Sequence, residues 1–358
     1  MDALARLLRE LVAIPSPSGE EAALGDHVAE RLRKAGFEVE RAGDGVVAEA
    51  GPERAPVLML CSHLDTVPAG AAWSADPWRV EWKDDRLIGL GANDAKASVA
   101  AMLMAGEHWL AGAARRGFRL RLAFNALEET TNHGMEELLA SRGMPDAAVI
   151  GEPTDLEVVN AQSGLAVLEA EWSGRSCHAA HVGRVEHENA LLAAARDLAH
   201  FPPCLTLGEP HAQCGISTVA ATVLHAGDRH NKVPDRATAT LDARLAPDVD
   251  AERALAEVQK LLPNATVRVR SARLKPFETP AAHPWVRAAL QAAGRSAPIG
   301  SSTMSDMALL QGIPAVKCGP GRTERSHTPD EFITREELVA GFRFYSRFLE
   351  LAPVAQLA

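Results

Sequence analysis

The sequence predicts an α/β protein, a mostly parallel sheet flanked by helices, with a smaller α+β domain inserted into it. Three observations carry that expectation. Strand-like and helical runs alternate towards both ends of the chain, the pattern of a mostly parallel sheet. Val57–Cys61 is a continuous apolar run, as expected of a strand buried on both faces. Near Gly164 the pattern shifts to antiparallel-type strands, and it shifts back near Pro276. A chain of 358 residues has room for a large core and more than one domain. The expected division is 1–163 with 274–358 as one domain and 164–273 as the insertion.

Taken in order, Leu4, Leu7, Leu8, Leu11 and Val12 recur at helical spacing, and Pro15 ends that helix. Ser18 followed three residues on by Glu21 is a capping-box signal for a second helix to about Ala35, closed by Gly36. Short strands at 37–40 and 46–49 precede the 57–61 run. A hairpin at 79–82 and 86–90 leads into a small-residue helix over 97–111. A strand over 119–125 alternates apolar and basic residues. A helix at 134–141 and a strand at 147–150 follow it. In the insertion, strands are expected at 166–172, 216–225, 237–245 and 266–270, with helices at 187–201 and 251–262. Helices at 284–293 and 305–311, a buried strand at 313–317, a loop at 319–331 and a helix at 335–351 complete the chain.

With 37 basic against 47 acidic residues the net charge is −10, and no basic tract stands out. That argues against nucleic acid or an anionic membrane surface as partner. Cys61, Cys177, Cys204, Cys214 and Cys318 are scattered, with no C-x-x-C pair, which suits reduced thiols in a cytoplasmic protein. The first fourteen residues alternate charge with leucine, unlike a signal peptide, and no apolar run approaches membrane-spanning length.

Metal-ligand residue types collect where strands end. His63 and Asp65 follow the 57–61 run, Glu128 and Glu129 follow 119–125, Glu152 follows 147–150, and Asp94 precedes a helix. In α/β sheets the carboxyl ends of the strands form the usual ligand edge. Four carboxylates in one cleft repel one another unless cations share it. The mixture of imidazole and carboxylate suits zinc, with cobalt or manganese as replacements.

The motifs His63-Leu64-Asp65-Thr66-Val67-Pro68, Gly91-Ala92-Asn93-Asp94-Ala95-Lys96, Glu128-Glu129, Gly151-Glu152-Pro153-Thr154 and Ser326-His327-Thr328-Pro329-Asp330-Glu331 occur in that order. With them the chain resembles the co-catalytic zinc amidohydrolases and peptidases. That family includes acetylornithine deacetylase, succinyl-diaminopimelate desuccinylase, aminoacylase and glutamate carboxypeptidase. The resemblance implies two zinc ions per subunit, bridged by Asp94. His63 and Glu152 would complete one site, Glu129 and His327 the other. It implies that Asp65 orients His63, that Glu128 is the general base, and that the Asp94–Ala95 peptide is cis. It also makes 1–163 with 274–358 the catalytic domain and 164–273 a lid and dimerisation domain. From the insertion, His178 would stabilise the oxyanion across a homodimer, and Asn231 and Arg244 would contact substrate.

Within the family, Ile299–Asp306, Lys317–Arg322 and Ser326–Thr328 look most like acetylornithine deacetylases and relatives acting on acetyl-lysine or acetylcitrulline. That would place the enzyme in arginine biosynthesis. Ser302 and Thr303 would line the substrate pocket, and Asp306 or Glu324 would meet a substrate amine. A succinylated diaminopimelate is the second expectation and a peptide the third. A catalytically silent binding protein on the same fold is the alternative outside enzymes.

Overall fold

The computed structural model describes residues 2–112 and 117–353. Two compact units emerge, Met1–Asn160 with Thr279–Ile299 and Ser305–Ala358, and Ala161–Glu278 with Gly300–Met304. The second unit thus starts and ends somewhat outside the expected 164 and 273. Residues 300–304, expected with 274–358, cluster with it too. There the Ser163 N–H donates to the Ser301 carbonyl at 3.1 Å, and a side chain at Gly300 would collide with the Gln213 backbone.

In the first unit the strands lie side by side in the order Glu38–Ala42, Gly45–Ala50, Arg119–Asn125, Val57–His63, Ala147–Ile150 and Ala315–Lys317. The last four are mutually parallel. Their carboxyl ends therefore meet at one sheet edge, the feature that assembles the site.

The helix Lys96–Ala111 is mostly apolar and buried from Lys96 to Gly106 except at Met104, which places its first three turns inside the core. Gly106 lets it approach the sheet closely, since a Cβ there would lie 2.6 Å from Leu122 Cδ1. The helix Arg335–Leu351 covers it with Phe344, Tyr345 and Phe348. Among the described residues, no helix is long and apolar enough to cross a membrane.

The alternating basic residues of 119–125 do not face water. Every residue of that strand is buried. Glu49, directly opposite Arg121 on the neighbouring strand, accepts from Arg121 Nε at 2.7 Å and Arg119 Nε at 3.0 Å. Arg119 also reaches Glu38 at 2.5 Å, and Arg121 donates to the carbonyls of Arg142 and Gly143. The guanidinium groups enter the core because each finds fixed acceptors there.

The second unit is a five-stranded sheet in the order Leu205–His211, Gly215–Ala226, Arg236–Leu245, Gly164–Ser173, Thr266–Leu274, antiparallel throughout. Helices Ala190–His200 and Ala251–Leu261 pack on one face around Trp172.

Several expectations need correction. Ser18 and Glu21 form no capping box: the Ser18 hydroxyl donates to Asp65 and Glu21 accepts from the Leu127 N–H. The helix expected over 305–311 is only a short 3-10 turn, Asp306–Leu309, because Gly312 and Pro314 follow at once. Leu205–His211, to which no element was assigned from the sequence, is an edge strand that contains Gly208 and Pro210. There the missing N–H of proline is tolerated.

Candidate metal centre

His63 closes its strand with the ring fully buried. Its Nδ1 lies 2.9 Å from the Asp65 carbonyl and 3.4 Å from Asp65 Oδ1. Both neighbours only accept, so Nδ1 carries a proton. Burial would lower the His63 pKa, but the bonds to Asp65 and Asp94 hold it well above the ordinary histidine value, so without a cation Nε2 is protonated as well. Nε2 lies 3.2 Å from Asp94 Oδ1. The other oxygen of Asp94, Oδ2, is 3.9 Å from His327 Nε2. Each oxygen of this one carboxylate thus faces a different imidazole. His327 Nε2 also lies 2.9 Å from Glu129 Oε1, and potential ligand atoms of His63, Asp94 and Glu129 all fall within 4.8 Å of one another.

Asp65 does more than orient His63. Its carboxylate accepts the backbone N–H groups of Glu128 and Glu129, each at 3.1 Å, and the Ser18 hydroxyl at 2.7 Å. Burial would push its carboxyl up, but the bond to His63 and these donors hold it below the usual range. Gly134 lies so close that a side chain there would strike the Ala126 carbonyl, which packs the following helix against this connection.

Two residues that sequence reasoning passed over prove to be structural parts of the site. Glu331, quoted only as the end of a motif, is 2% exposed. Its Oε1 accepts the N–H groups of Asn93 at 2.7 Å and Asp94 at 2.9 Å, gripping the turn that presents Asp94. Burial and the nearby Asp94 charge push it up to about 7. Glu21, fully buried, accepts from Leu127 and Gly19 and so anchors the Glu128 connection. A helix-capping pattern disguised the second. Only the length of the acidic motif after His327 hinted at the first. The Asp94–Ala95 peptide is cis.

Left to protein atoms alone, the cluster keeps protons. Burial raises Glu152 to about 8, against the pull of His63. Burial and then Glu152 raise Glu128 well above the carboxylate range. Glu129 raises His327 to about 9. Glu152 Oε1 is buried without a hydrogen-bond partner among the described residues. An orphaned buried carboxylate oxygen beside imidazoles and carboxylates fits a divalent-cation site.

Asp306 is a correction. It is 1% exposed and bonded to Asn125 and Asn132, so it cannot meet a substrate amine. Glu324, on the short turn Thr323–Arg325, is exposed.

The second unit carries the other candidates. His178 is exposed and its Nδ1 accepts the Ala180 N–H at 3.1 Å, which leaves the proton on Nε2. The Asn231 carbonyl accepts from Ala179 at 2.9 Å, tying the His178 and Asn231 loops together. Arg244 is held by Asp242, Nε to Oδ1 at 2.8 Å. Ser302 and Thr303 are exposed, and the Ser301 hydroxyl lies 2.8 Å from that of Thr303.

The model of peptidase family M20/M25/M40 matches residues 59–351. The chain belongs to that family. It is 30% identical to a putative succinyl-diaminopimelate desuccinylase DapE of Mycobacterium tuberculosis, over 96% of this chain and 97% of that one. It is also 30% identical to an acetylornithine deacetylase of Erwinia tasmaniensis, over 91% and 92%. Among solved structures, the YXEP protein of Bacillus subtilis, described as a dinuclear metal binding peptidase, shares the M20 fold. Its TM-score is 0.74 at 17% identity, over 99% of this chain and 98% of that one. The protein is an M20-family hydrolase.

Proposed function

We propose that this M20 hydrolase cleaves the amide bond of an N-acyl amino acid, N-acetylornithine first, with acetyl-lysine and acetylcitrulline as close variants. The observation that carries the reading is Asp94, whose two oxygens face His63 and His327 separately, so that one carboxylate could serve two cation sites. His63 and Glu152 would hold one cation with Asp94, and Glu129 and His327 the other. Divalent cations there, two zinc ions or cobalt or manganese in their place, supply an acidified water and polarise the scissile carbonyl.

The chain's own groups do the rest. Glu128 takes a proton from the attacking water as the new C–O bond forms. It returns that proton to the amine nitrogen as the C–N bond breaks, so acetate and a free amino acid leave. The Nε2–H of His178 donates to the oxygen that gains charge. Arg244 receives the α-carboxylate by exchanging Asp242 for it, while Asn231, Ser302 and Thr303 line the substrate. Turnover against N-acetylornithine, N-acetyl-lysine, N-acetylcitrulline, N-succinyl-diaminopimelate and a dipeptide tests the reading. The relatives at equal identity carry different acyl groups, so a higher kcat/KM for the succinyl compound would overturn the assignment of acetyl.

The second unit serves, on this reading, as lid and dimerisation domain in a cytoplasmic homodimer. The strand Gly215–Ala226 pairs with Leu205–His211 only as far as Val219. Beyond it, Val223 and Leu224 are 43% and 50% exposed on an edge with no strand beside it among the described residues. Such an edge favours pairing with a second copy. If His178 of one protomer serves its partner's site, His178→Ala should lower kcat about 10²–10³-fold. Mixing that variant with Glu128→Ala should then restore about a quarter of wild-type activity, because one site per mixed dimer is whole. No recovery on mixing would remove the shared site.

Metal loading should be visible as protons. His327 starts protonated up to about 9 because Glu129 holds its proton, and a ligand imidazole must be neutral. Adding zinc to chelator-treated protein in weak buffer should therefore release protons at pH 7, and fewer as the pH passes about 9. The sign for stability is the same: the His327–Glu129 pair supports the chelated fold below the ordinary histidine pKa and is lost as pH rises through about 9. Chelation should also lower the melting temperature. Proton release that does not vary with pH would remove His327 from the ligand set.

A further inference from the structure

The connection between the strand Arg119–Asn125 and the helix His133–Arg142 carries both Glu128 and Glu129, and a buried acid that the mechanism does not use lies against it. Asp306 Oδ2 accepts from Asn125 Nδ2 at 2.6 Å, and Asp306 Oδ1 accepts from Asn132 Nδ2 at 3.2 Å. Asn125 is the last residue before the connection and Asn132 the last residue in it. The same Nδ2 of Asn132 lies 3.4 Å from Glu128 Oε1.

We propose that Asp306 is a positioning residue, which clamps both ends of the 126–132 connection and turns the Asn132 amide onto the Glu128 carboxylate. The inference rests on the reading of Glu128 as the proton carrier.

Asn132 Nδ2 donates to Asp306 Oδ1 and lies within reach of Glu128 Oε1, so the amide presents its NH₂ to both acids. One hydrogen goes to Asp306 and the other is left for Glu128. Asn132 stands at the N-cap of its helix with φ +54°, a conformation asparagine tolerates, yet its side chain makes no cap bond. That side chain is committed to the two acids instead. Asn125, Asn132 and Asp306 are 0%, 7% and 1% exposed, so no solvent competes for these bonds. Glu21 and Asp65 hold the backbone of the same connection through the N–H groups of Leu127, Glu128 and Glu129. What those two acids leave free is the direction of the Glu128 side chain. The Asn132 amide, fixed by Asp306, is the donor that addresses it.

Asp306→Asn keeps the shape but sets an NH₂ group against one of the two amide donors. It should lower kcat about 10- to 100-fold while KM and metal content stay at wild-type values. Asn132→Ala, a less buried change, should do the same. If Asp306 acts through Asn132, the double variant should be no slower than the slower single variant. A second readout needs neither substrate nor metal. In chelator-treated protein, amide hydrogen exchange of the 126–132 segment should quicken in Asp306→Asn on the order of tenfold. Effects on kcat that multiply in the double variant would overturn the proposal. So would a loss of bound metal in place of a loss of kcat, or exchange at the wild-type rate. A wild-type protein inert towards every N-acyl amino acid and peptide would instead defeat the functional reading, and exchange would still decide the clamp.

Discussion

Replacing Glu128 by alanine is expected to lower kcat about 10²–10⁴-fold with metal content unchanged. The separation of the two effects follows from the geometry. Glu129 faces His327 and lies with His63 and Asp94 in one ligand-sized group. Glu128, its neighbour in sequence, instead meets the Asn132 amide at 3.4 Å. Both backbone N–H groups are held by Asp65, so truncating the Glu128 side chain leaves the connection in place. Steady-state kinetics beside elemental analysis of the purified variant checks this. Glu129→Ala is the contrasting control and should lose metal as well as turnover. Near-wild-type kcat in Glu128→Ala would end the assignment of the proton carrier.

The second large effect concerns stability, far from the ligands. Glu49→Gln should cost about 3–5 kcal/mol, because it strands two buried guanidinium groups without their shared carboxylate. Burial raises the Glu49 carboxyl, yet the bonds from Arg121 and Arg119 outweigh that and hold it below the ordinary glutamate value. The sign follows directly. A lowered folded pKa means the stabilisation is present above the ordinary glutamate pKa and is lost as pH falls through the folded one. The gap between wild type and variant in urea midpoint should accordingly be widest near neutrality and close in acid. A gap that stays constant down to pH 3 would mean that the Glu49 charge contributes nothing.

Much of the first unit was legible because each strand and helix announces itself by its own period. The run at 57–61, the helix after Asp94 and the strand over 119–125 read correctly from short windows. Elements without such a period did not. Residues 205–211 form a strand because a neighbouring strand pairs with them, against the local signal of glycine and proline. Residues 305–311 had helical composition, yet only Asp306–Leu309 forms a single 3-10 turn before Gly312.

The same division runs through the site. By itself the sequence determined which strand ends carry imidazoles and carboxylates, since ligand type and strand termination are both local properties. His63, Glu128, Glu129 and Glu152 could be named on that basis, while Asp94, before a helix, and His327, in a loop, were named from the motifs that carry the family resemblance. Only the tertiary structure decided what holds them, because a buried carboxylate is told from a solvated one by its partners, and those partners are distant in the chain. Glu21 reads as a helix cap and grips Leu127; Glu331 reads as loop and grips the Asp94 turn. Asp306 reads as a substrate contact, yet it lies beneath the Glu128 connection, bonded to residues 181 and 174 positions away.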